Sequence, residues 1–107
     1  QCGEVVHNKF IERYWLYVEI IECYKKIGLP IDAKFYTLLL RHMSSYYYPT
    51  IKNMDNKIVT AMFVIARELV EKYKPKEKIK LPYVLKNVEQ AFEENDIELW
   101  KLASCYQ

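Results

Sequence analysis

The sequence predicts an all-α fold of five helices in a single domain, with the third helix at the centre. Three observations lead there. Apolar residues recur at spacings of three and four along nearly the whole chain, the period of a helix with one buried face. The few glycines and prolines fall between those periodic segments and not inside them. At 107 residues, half of them hydrophobic, the chain is long enough for one core and too short for two.

The first helix is expected over about Asn8 to Ile27, with Phe10, Tyr14, Tyr17, Val18, Ile21 and Tyr24 facing inward and Ile11, Trp15 and Ile20 widening that face. It should end at Gly28, which suits a left-handed cap, with Pro30 preventing continuation. Asp32 is the expected N-cap of the second helix, whose inward residues are Phe35, Leu38, Leu39, His42, Met43 and Tyr46 until "YYYPT" stops it. Asp55 caps the third, about Asn56 to Tyr73. There Ile58, Met62, Ile65, Ala66, Leu69 and Val70 form one stripe, and Val59 and Phe63 cover much of the rest. A helix apolar nearly all round needs neighbours on several sides, so this one belongs in the middle.

The connection "KYKPKEKIKLP" is polar and rich in lysine. Pro82 suits the first turn of a fourth helix with Val84, Leu85, Val88, Ala91 and Phe92 inward. "EEND" breaks the pattern, and Asp96 caps a short fifth helix carrying Ile97, Leu99, Trp100, Leu102, Ala103 and Tyr106.

Sixteen Lys and Arg against fourteen Asp and Glu leave a net charge of +2, which by itself attracts neither nucleic acid nor an anionic membrane. The longest apolar runs, "WLYV" and "MFVIA", are far below spanning length, so no membrane role is expected. Three scattered cysteines cannot close a complete disulfide framework, and there is no glycosylation sequon; both point to an intracellular compartment, nuclear or cytoplasmic. Gln1 is not an initiator, so the chain reads as a fragment or a processed product.

No catalytic residues are assigned. His7 and His42 are separated by a whole helix, and no spacing gathers a nucleophile, a base and an orienting acid. His42, on an apolar helix face, reads as a hydrogen-bonded core residue in preference to a ligand. Cys2 has no partner knuckle within the sequence, so neither a structural metal nor a cofactor is expected.

Two regions are candidate binding surfaces. Lys72, Lys74, Lys76, Lys78 and Lys80 form the one local departure from charge balance, and such a loop either contacts nucleic-acid phosphates or is simply well solvated. Tyr46, Tyr47 and Tyr48 cannot all point inward from a helix end, so one or two rings either meet a protein partner or close the core beneath the next loop.

Taken together, these features resemble the transcription factor IIB family, with its archaeal and viral relatives. "CGEVV", Cys2 to Val6, is similar to the last knuckle of that family's zinc ribbon. "IGLP", Ile27 to Pro30, resembles the turn between the first two helices of its cyclin-type repeats. "IVTAMFVIAR", Ile58 to Arg67, resembles the central third helix, and "LPYVLKNV", Leu81 to Val88, sits where a fourth would start. The resemblance implies that residues 1–7 are a ribbon remnant or a disordered lead, and that residues 8–107 are one cyclin-like repeat.

It also implies a transcription-initiation module that contacts protein components, Arg67 and the tyrosines among its partner-binding residues, and touches DNA phosphates through the lysines. The competing expectation is a helical adaptor that binds a protein and no nucleic acid. Neither is an enzyme, and neither fixes the oligomeric state.

Overall fold

The computed structural model describes residues 2–44 and 54–103, with side chains from residue 8 onward. Among them are five helices and no strand: α1 (Cys2–Ile27), α2 (Ala33–His42), α3 (Asn56–Tyr73), α4 (Tyr83–Glu94) and α5 (Ile97–Ala103). α3 touches each of the other four, as its broad apolar surface requires.

The expected boundaries hold where a cap defines them. Gly28 adopts φ 76°, the Leu29 N–H donates to the Tyr24 carbonyl and the Gly28 N–H to that of Lys25, a left-handed cap that only glycine enters without cost. The Asp32 carboxylate accepts from the Phe35 N–H, Asp55 from Lys57 and Asp96 from Leu99, each satisfying an amide that the helix itself leaves unpaired. Two boundaries differ. α1 begins at Cys2, six residues before Asn8, because nothing in "CGEVVH" forbids continuing the helix. α2 closes at His42 with Met43 as its cap, short of Tyr46.

The core is a layer of aromatic and branched side chains around α3. Phe10 of α1, Phe63 of α3, Phe92 of α4 and Trp100 of α5 meet there, with ring centroids 5.4–6.5 Å apart. Trp100 is fully buried, and its indole N–H donates to the Met43 carbonyl at 3.0 Å. A second cluster joins α1 to α2, where Tyr17 and Tyr24 pack on Phe35 at 5.6 and 5.0 Å.

Four residues expected inside are exposed, Trp15, Leu38, Ile58 and Leu102, and Val64 is exposed on the far side of α3. At 100° per residue Trp15 stands about 140° round α1 from Phe10, beyond the reach of either neighbouring helix. Tyr36, absent from the expected core, is buried.

Candidate functional site

The nine residues between α3 and α4 fold back over α4. Leu81 anchors this connection in the core and Ile79 is half-buried, and Lys76 and Lys78 ahead of them line a cleft with Lys86, Glu89 and Glu93 of α4. Those three follow at intervals of three and four, so they share one face. Between the connection and this face the cleft is open, with a volume of about 420 Å³, floored by Tyr36 of α2 and walled by Pro75, Ile79 and Leu81.

Charge in the cleft is divided unevenly. The Tyr36 hydroxyl donates to Glu89 Oε2 at 2.5 Å, and Lys74 pairs with both Glu93 and Glu89, the latter at 3.8 Å. Burial raises the Tyr36 phenol above its ordinary range, and the hydrogen bond to the Glu89 carboxylate pushes it further the same way. Burial alone would lower Lys74, but its bonds to Glu93 and the nearby Glu89 charge outweigh that and raise it. The phenol therefore stays protonated and the ammonium stays charged, and both carboxylates are occupied from within. Lys76, Lys78 and Lys86 also line the cleft and make no ion pair among the described residues.

The other lysines of the expected nucleic-acid set are placed differently. Lys72 lies over the Tyr73 ring at 5.4 Å, on the α1 side, and Lys80 is exposed outside the cleft. The five are not one patch: Lys74 is neutralised by α4, Lys76 and Lys78 face the cleft, and Lys72 and Lys80 point elsewhere. Of the expected partner-binding residues, Arg67 donates from Nε to the Phe92 carbonyl at 2.7 Å and ties α3 to the end of α4. Tyr46, Tyr47 and Tyr48 lie outside the described residues.

A second surface comes from α1. Trp15 and Leu16, successive residues projecting about 100° apart from α1, are 58% and 54% exposed, and Trp15 is braced edge-on by Tyr14 at 5.4 Å. Ile27 and Leu29 are exposed at the following turn. The outward turn of Trp15 was invisible in the sequence, where it extends the apolar face. The Lys86, Glu89, Glu93 stripe was legible as spacing, but its pairing with Tyr36 spans 53 residues and had no sequence signal.

His42 is half-buried and shares a hydrogen bond with the Tyr17 hydroxyl. Burial lowers its pKa, and the positive charges of Arg13 and Arg41 lower it further. Among the described residues no three His, Cys, Asp or Glu stand close enough to hold a metal ion, and no helix is long and apolar enough to cross a membrane. Compared with protein-family models, with curated proteins and with solved structures, the chain matches none.

Proposed function

We propose that this chain is a non-catalytic helical module that docks on a protein partner through the outer flank of α1. The observation that carries this reading is the pair Trp15 and Leu16, both more than half exposed on the longest helix. Large side chains left adjacent in water are what an interface core uses, and tryptophan is over-represented among residues that dominate binding energy. Bracing by Tyr14 holds the ring in one orientation, so little freedom is lost on docking.

A photo-crosslinking side chain at position 16, in extract of the source cells, should label one protein that the same probe at position 57 does not. Trp15→Ala should abolish that adduct while leaving the helical circular dichroism unchanged. Identical labelling from both positions rejects the reading.

A second reading follows the resemblance to the transcription factor IIB family: a cyclin-like initiation module whose lysines touch DNA phosphates. It is favoured by the exposed ammonium groups of Lys76, Lys78 and Lys80, which have no carboxylate partner among the described residues. In this reading duplex affinity falls with salt at a slope of roughly −0.9 per phosphate neutralised. Reversing Lys76, Lys78 and Lys80 to Glu should remove the binding, and a duplex affinity insensitive to salt and to that change rejects it.

A further inference from the structure

The cleft under the 74–82 connection has features that neither a solvated loop nor a flat phosphate-contacting surface needs. It is concave, and its volume of about 420 Å³ lies within the range that encloses small ligands. It is several times larger than a bare phosphate requires. Its lining mixes apolar residues, Pro75, Ile79 and Leu81, with the lysines Lys76, Lys78 and Lys86.

The arrangement of carboxylates decides which sign of ligand fits. Glu89 already accepts from the Tyr36 hydroxyl and pairs with Lys74, and Glu93 also pairs with Lys74. Those contacts engage both carboxylates on the α4 face, although the single Lys74 ammonium offsets only one of their two charges. Lys76 and Lys78 come from the connection and Lys86 from α4; all three line the cleft without an ion pair among the described residues, and exposed Glu77 is a further acid in the lining. Lys74, Lys76, Lys78 and Lys86 against Glu77, Glu89 and Glu93 leave the lining one positive charge in excess, which an anion offsets.

We propose that this cleft binds a small phosphate ester of about nucleotide size, with its phosphate held by Lys76, Lys78 and Lys86 and its apolar portion against Pro75, Ile79 and Leu81. The site does not depend on the α1 docking surface, which lies on a different part of the molecule. It also differs from contact with a nucleic-acid backbone, because the ligand enters a cavity that Tyr36 closes from below.

The test is titration of the full chain with adenosine monophosphate, inorganic phosphate and adenosine, followed by backbone amide chemical shifts. Adenosine monophosphate should shift amides of residues 74–93 and bind more tightly than inorganic phosphate, and adenosine should not bind. Lys76→Ala with Lys78→Ala, and separately Lys86→Gln, should each weaken adenosine monophosphate binding about tenfold or more. These lysines are exposed, so the variants should keep the parent's melting temperature, and Lys57→Ala, on the far end of α3, should leave binding unchanged. No binding at millimolar concentration, equal binding of adenosine, shifts confined to other residues, or full affinity in both lysine variants would each overturn the proposal.

Discussion

Trp100 donates its indole N–H to the Met43 carbonyl while its ring meets Phe10, Phe63 and Phe92 from three other helices. Truncation removes the filler of the core and the Met43 partner together, so Trp100→Ala should lower the free energy of unfolding by about 3–5 kcal/mol in urea. A loss under about 1 kcal/mol would contradict its burial. His42 gives a pH dependence whose sign follows from its lowered pKa. Below the ordinary value of 6.5 the unfolded chain takes up this proton more readily than the fold does, so stability present above that pH is lost as pH falls toward the folded value. His42→Gln, which keeps a polar partner for Tyr17, should flatten the slope measured by denaturation between about pH 6.5 and 5. An unchanged slope would place the titration elsewhere. Burial of Trp100 was legible from its place in a helical period. The Tyr36 phenol on Glu89 was not, because period and composition carry no information about which distant carboxylate a ring will reach.

At the scale of elements, the ends of α1 and α4 are closed by the same hydrogen-bond pattern around different residues. Gly28 closes the first at φ 76°, and Asn95 closes the second at φ 55°. In each case the following amide reaches back to the last full turn, Leu29 to Tyr24 and Asp96 to Ala91. A methyl group added at Gly28 meets nothing within 4 Å, so Gly28→Ala tests the backbone conformation alone. It should cost about 1–2 kcal/mol, seen as a drop of several degrees in the melting midpoint. No change would mean that the turn relaxes to another conformation. Gly28 announced its cap in the sequence through the proline two residues on. Asn95 was harder to see, since "EEND" sets Asp96 beside it as a second helix-breaking residue, and only the backbone angle identifies the one that closes α4.

For the whole molecule, the 26 residues of α1 span about 39 Å, close to the 41 Å longest dimension, so one helix sets the length against which the rest assembles. Every other described helix packs on α3, and the buried residues form one cluster. A single core should unfold as one unit. In Trp15→Phe, where Trp100 is the sole tryptophan, native emission should be blue-shifted. Its loss in urea should coincide with the loss of helical circular dichroism; separate midpoints would mean that α1 or α5 unfolds independently.

The sequence by itself determined the helical class, the order of the five helices, most of their caps and the central place of α3. These depend on interactions within a few residues or on the total apolar surface of one segment. Tertiary structure alone decided that Trp15 and Leu16 turn outward, that Arg67 serves the α3–α4 junction, and that the lysine run divides. Lys74 is neutralised by α4, whereas Lys76 and Lys78 join Lys86 across a cleft. The physical reason is common to all three. A helical period states that a face is apolar or charged, but how much of that face is covered, and by what, depends on the crossing of helices distant in the chain.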